Sequence, residues 1–154
     1  MFRYLAALGC LAVVAAGCGG QAAAASHDAA LAAQYQAIAR PANRSLEVEN
    51  DGYGDAEHTD LAVARKDLLA EIATERLFDA RLRKISFPAP IEAQVRALVQ
   101  ANDARIQLTQ RQARATTLAG LRALDAQHKA TDAAVEAPVR RIRRDLGLPP
   151  PSTS

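Results

Sequence analysis

The stretch Glu47–His58, EVENDGYGDAEH, is the part of this chain whose residue types come nearest to chemistry. Laid on a twelve-residue EF-hand loop, Glu47, Glu49 and Asp51 fall at positions one, three and five. Gly52 falls at six and Asp55 at nine, but position twelve is His58, where the calcium shell needs a bidentate glutamate. The expectation is therefore an acidic turn between two helices, with Asn50 and Gly52 bending the chain and Asp55 capping the next helix. A second pattern is Asp55-x-x-His58 with Asp125-x-x-His128. Di-iron bundles use Glu-x-x-His on two helices, and here the two histidines are expected at heights on the order of 15 Å apart. That spacing excludes a shared metal, and His128 reads as a histidine at the core edge, bonded to Thr131 or Asn102. Glu75 and Asn102 are polar residues on apolar stripes, expected either to fix helix register or, with His128, to line a small ligand pocket. No glycine-rich phosphate cradle occurs, and the serines lie near the termini and loops. The chain is expected not to be an enzyme, with no catalytic, cofactor-binding or metal residues and no cofactor.

Four helical stretches must position these residues. The first is expected to begin near Ser26 or Asp28, with Leu31, Tyr35, Ile38 and Ala42 on one face, a kink at Pro41, and an end at NDGYGD. The second runs from about Asp55 or Thr59 to Ile85, with Leu61, Leu68, Ile72, Phe78, Leu82 and Ile85 as its stripe and Glu75 intruding. Pro90 suits the first turn of a third helix carrying Ile91, Val95, Leu98, Val99, Asn102 and Ile106. Thr117 can cap a fourth, with Leu121, Leu124, His128, Val135, Val139, Ile142 and Leu146 at helical spacing and a bend at Pro138. Gly147 can then turn left-handed, with Leu148 folding back before the prolines. Helices of roughly 35–45 Å joined by short connections predict an all-α, antiparallel up-down-up-down four-helix bundle.

The amino terminus, MFRYLAALGCLAVVAAGCGG, places Arg3 before an apolar run too short to span a bilayer, the layout of an export signal. The segment VAAGC resembles the lipobox of bacterial lipoproteins, which implies a lipid on Cys18 and cleavage just before it. Ala15 stands where the family more often has Leu, and a secretory signal cut near Ala25 is the alternative. The resulting division is a signal over 1–17, a flexible tether over 18–27, the bundle over 28–148 and a disordered tail over 149–154. Only Cys10 and Cys18 occur, so a lipidated mature chain has no thiol for a disulfide or metal. A formal charge of +2 over 154 residues argues against a dedicated nucleic-acid binder.

The segments YQAIARPAN, FPAPIEAQVRALVQANDARI and VRRIRRDLGLPP resemble a group of small exported helical proteins of actinobacteria, largely of unknown function. That resemblance implies a fold and transfers no catalytic residue. Two basic clusters, Arg81, Arg83, Lys84 and Arg140, Arg141, Arg143, Arg144, end the second and fourth helices. In the expected topology both face the membrane that holds the lipid, where each cation near an anionic leaflet contributes about 1 kcal/mol. Cations at helix C-termini also complement the helix dipole, which accounts for much of the same pattern. The primary expectation is a lipid-anchored envelope protein on the outer face of the cell membrane, acting as a binding or scaffolding module without a sizeable internal cavity. The alternative, a small-ligand or metal-binding bundle, predicts a pocket at Glu75, Asn102 and His128.

Overall fold

The structure, a computed structural model, describes the backbone of residues 18–151 and the side chains of residues 28–151. The signal segment 1–17, the side chain of Cys18 and the last three residues of the expected tail lie outside the described residues. The chain is all-helical, with four long helices packed together, and no strand occurs among the described residues. The helices are α1 (Cys18–Ala56), α2 (Leu61–Leu82), α3 (Ala89–Ala113), the five-residue α4 (Leu118–Arg122) and α5 (Asp125–Asp145).

The first helix corrects the sequence reading at both ends. It is helical from Cys18, the first described residue, so the backbone expected as a flexible tether is helical and neither Ser26 nor Asp28 starts the helix. It also runs through NDGYGD to Ala56, so the acidic turn expected from Glu47 is mostly helix. Asn50, Gly52 and Gly54 are weak helix formers, at up to about 1 kcal/mol each, and tertiary packing offsets that cost. Tyr53 and Ala56 pack into a cluster with Ala64, Leu68, Ala113 and Leu121. Gly52 faces α2 so closely that an added Cβ would lie 2.8 Å from Asp67 Oδ2. The reversal comes at Glu57–Asp60 instead. Asp60 caps α2 there, its Oδ1 accepting from the amides of Ala62 at 2.9 Å and Val63 at 3.1 Å. Asp55 is therefore not the cap.

The later boundaries agree better. Pro90 sits in the first turn of α3, and Thr117 Oγ1 accepts from Gly120 N at 3.0 Å to cap α4. The expected fourth helix is split, because α4 ends at Arg122 and α5 opens at Asp125. Leu121 is held in the cluster with Ala64 and Leu68, and Gln112 Nε2 donates both to its carbonyl at 3.4 Å and to Asp125 Oδ1 at 2.7 Å across the break. At its far end α5 closes as read. Gly147 has φ +66°, Leu148 N donates to Arg143 O at 2.7 Å and Gly147 N to Arg144 O at 3.0 Å. The prolines that follow are not loose throughout: Pro149 O accepts from Arg143 Nε at 2.7 Å, and Pro151 packs against the bundle interior.

Two hydrophobic clusters hold the molecule. One joins Leu31 and Tyr35 of α1 to Leu82 of α2, Ile91, Val95 and Leu98 of α3, and Ile142 of α5 with Leu146 just beyond it. The other joins Ala56 of α1 to Ala64 and Leu68 of α2, Ala113 of α3 and Leu121 of α4. Between them the middle of the bundle is polar. α1 packs along α2, α2 along α3 and α3 along α5, but α1 and α5 do not pack along their length. The bundle is open on that side.

Candidate functional site

Where α1 fails to close on α5, a cleft of about 680 Å³ runs between them. Its α1 wall is one helical stripe: Asn43, Leu46, Glu47, Asn50, Tyr53 and Gly54, continued by Glu57. Its α5 wall is Asp125, His128 and Asp132, again three and four residues apart, and Leu68, Glu71, Arg105 and Gln112 form the floor. Five carboxylates and one arginine therefore line it. Asn43, Leu46 and Arg105 also wall a smaller chamber of about 90 Å³ deeper in the bundle, with Tyr35, Phe78, Leu98, Val135, Glu75 and Asn102.

Arg105 is the hub of both spaces. From α3 its Nη2 donates to Glu71 Oε1 at 3.0 Å and its Nη1 to Asp132 Oδ1 at 3.4 Å, linking α2 and α5. Its Nε lies 2.6 Å from Glu75 Oε1 but is not directed as a hydrogen bond, so the two share charge without an aligned N–H. Glu75 is only 3% exposed, and its Oε2 has no hydrogen-bond partner among the described residues. Burial pushes this carboxyl up to about 8; Arg105 opposes the rise, while Glu71, Asp79 and Asp132 add to it. Burial likewise pushes Asp79 up to about 6, against the Asn102 amide, whose Nδ2 donates to Asp79 Oδ1 at 2.8 Å. That bond corrects the pairing of Asn102 with His128.

His128 instead bonds Gln112, its Nε2 against Gln112 Oε1. An amide oxygen only accepts, so Nε2 carries the proton. Thr131 is bonded as well, but its Oγ1 donates to the His128 backbone carbonyl at 2.8 Å rather than to the ring. Gln112, 1% exposed, donates from Nε2 to Asp125 Oδ1 at 2.7 Å, and Tyr53 donates to the same oxygen at 2.9 Å. Burial is the main reason the imidazole is shifted down and the Tyr53 phenol up. The expected separation of the two Asp-x-x-His pairs shrinks, because His128 lies in the first turn of α5 and Arg122 just ahead contacts His58 Nδ1 at 2.7 Å. Even so, no three His, Cys, Asp or Glu side chains converge on a metal position among the described residues. Glu47, Glu49 and Asp51 diverge around a helix rather than enclosing an ion.

The structure thus brings Glu75 and Asn102 to the chamber and His128 to the adjoining cleft, with Arg105 between them. Arg105, Gln112 and Asp79 were absent from the sequence reading as site residues. A usable signal existed, because Asn102, Arg105, Thr109 and Gln112 recur at three, four and three on the buried stripe of α3. Glu71, Glu75 and Asp79 recur at four on α2. The basic residues lie elsewhere. Arg81, Arg83, Lys84, Arg140, Arg141 and Arg144 are exposed around the end of the molecule where Leu82 meets Ile142, and Arg143 is partly buried beside them. No helix among the described residues is long and apolar enough to cross a membrane. Comparison with protein-family models, curated proteins and solved structures returned no match.

Proposed function

We propose that this chain is a lipid-anchored, non-enzymatic binding protein of the bacterial cell envelope, carrying a small ligand in the cleft between α1 and α5. The observation that carries the binding reading is the open side of the bundle. A helical bundle serving only as a scaffold gains by closing its fourth seam over apolar side chains. Here the α1 stripe that should form the seam is mostly polar, and it faces a polar α5 wall across an open space. The chamber favours the ligand-binding alternative because two of its wall residues are Glu75 and Asn102, with His128 lining the adjoining cleft.

The anchor reading rests on the VAAGC motif at Cys18 and on the basic ends of α2 and α5. The membership of the two hydrophobic clusters supports an antiparallel, up-down-up-down arrangement, since the middle of α1 shares a cluster with the end of α2 and the end of α1 shares one with the start of α2. In that arrangement Arg81, Arg83, Lys84 and the Arg140–Arg144 cluster lie toward the tethered end, and the mouth of the cleft at Tyr53 and Asp125 lies away from it.

Gly54 gives the test. It lines the cleft, and an added Cβ there meets nothing within 4 Å. Gly54→Trp should fill the cleft and keep the fold, since any residue but proline suits a helix interior better than glycine. Protein isolated from its native envelope without denaturation should release a bound small molecule on unfolding, detected by mass spectrometry, and Gly54→Trp should release at least about tenfold less. Equal release from both, or none from either, refutes the cleft as the binding site.

A further inference from the structure

We infer that the chamber and cleft take a slender organic cation, a primary alkylammonium group whose charged head meets the bare Oε2 of Glu75. This deepens the ligand-binding reading above and rests on it. Two independent observations carry it. The cleft presents five carboxylates, Glu47, Glu57, Glu71, Asp125 and Asp132, against the single cation Arg105. Beneath them Glu75, 3% exposed, keeps one carboxylate oxygen without a partner among the described residues while lining the chamber. A buried carboxylate oxygen left unpaired is costly, and once Glu75 is ionised the group that relieves it must donate.

Size and wall chemistry narrow the donor. About 90 Å³ has room for roughly three non-hydrogen atoms. Phe78, Leu98, Val135 and Val139 supply apolar walls beside the carboxylate, which suits a cationic head on a short hydrocarbon stem. Calcium or magnesium needs about six oxygen ligands and zinc at least three protein ligands, and no three suitable side chains converge among the described residues. An anion would meet the carboxylates of the cleft first. The remainder of the ligand would lie in the larger space, where Asn43, Asn50 and Gln112 offer neutral hydrogen-bonding groups.

Binding should depend on pH in a way that identifies Glu75. Its carboxyl is held up to about 8 by burial. The charged or titratable groups around it are Glu71 and Asp79 on α2, Arg105 on α3, Asp132 and Arg143 on α5, and Tyr35 on α1. His128 is shifted down and so stays neutral above pH 7. A cation therefore displaces a proton from Glu75 near neutrality and meets a carboxylate already ionised at pH 9, so affinity rises with pH.

The experiment is an NMR titration of the purified chain with n-butylammonium, n-butanol and butyrate, following the side-chain amide of Asn102 and the backbone amides of α2. Butylammonium should give saturable shifts with Kd on the order of 1 mM at pH 9. It should bind about tenfold more weakly at pH 7 and at least about tenfold more weakly to Glu75→Gln at pH 9. Should Glu75→Gln not fold, the pH dependence of the unaltered chain decides alone. Saturable shifts with butanol or butyrate but not with butylammonium would overturn the cation assignment and leave the cleft a binding site. Butylammonium binding that ignores both pH and Glu75→Gln would overturn it too, marking a surface site. No saturable shift with any of the three, as for a chamber holding only water, would overturn the assignment, and the release experiment with Gly54→Trp would still judge the cleft.

Discussion

At the scale of single residues, the middle of this bundle holds carboxyls where a helical core ordinarily holds leucine. Glu75 is pushed up to about 8 from 4.5 and Asp79 up to about 6 from 3.8, both chiefly by burial. Between the unfolded and folded values the folded state binds the extra protons, so stability is full below about pH 4 and falls as pH rises toward 8. Denaturant unfolding should therefore show a less stable protein at pH 9 than at pH 5. Glu75→Gln should remove much of that slope, gaining about 2–4 kcal/mol relative to the unaltered chain between those two pH values. Parallel pH profiles of the two proteins would mean that Glu75 titrates normally. The polar residues on apolar stripes were legible beforehand at Glu75 and Asn102. Their partners were not, because Asn102 is one of two partners expected for His128 and instead bonds Asp79 at 2.8 Å. Which polar group faces which across a bundle depends on the rotation and stagger of two helices, and neither is local.

At the scale of elements, the helix-end signals read from residue type held where the turn is closed locally, by the Thr117 hydroxyl in one case and by the backbone of Gly147 in the other. Asp60→Ala should cost about 1 kcal/mol, because Oδ1 satisfies two first-turn amides of α2. Gly147→Ala should cost a similar amount, about 1 kcal/mol, since φ is +66° and a Cβ strains it. Chemical unfolding reads both, and a change below a few tenths of a kcal/mol at either position would contradict the cap assigned there. The extended α1 is where local rules failed. NDGYGD carries turn residues, yet the chain stays helical because Tyr53 and Ala56 gain more by packing on α2 and α3 than Gly52 and Gly54 lose. The break between α4 and α5 is a further departure, in a stretch where Gln112 Nε2 donates both to Leu121 O and to Asp125 Oδ1.

At the scale of the whole molecule, exposed cations gather where α2 and α5 end, at Arg81, Arg83, Lys84, Arg140, Arg141 and Arg144. If the basic end faces the membrane, replacing Arg140, Arg141, Arg143 and Arg144 by glutamate should weaken binding of the unlipidated chain to anionic vesicles by at least about tenfold, at roughly 1 kcal/mol per cation. Co-sedimentation reads this, and unchanged binding dismisses the basic end as a membrane contact. Cys18→Ser should move the protein from the membrane to the soluble fraction of the native envelope, and continued membrane recovery would dismiss the lipid anchor. A bundle was legible from apolar spacing over the long helices, since each stripe must be buried against another. The opening between α1 and α5 was not, because it appears only once three neighbouring pairs of helices have packed along their length while α1 and α5 meet only toward the two ends of the cleft.

The division between chain and fold therefore follows the range of the forces. Helical periodicity, most caps and the glycine stop after α5 depend on residues within about four positions of one another, so they can be read along the chain. The reversal at Glu57–Asp60, the union of Glu75, Arg105 and Asp132, and the empty seam depend on contacts between segments far apart in sequence. Those contacts decide which polar residues are dry, which are paired and which are left facing space. The same letters on a differently rotated helix would have made only a solvated surface.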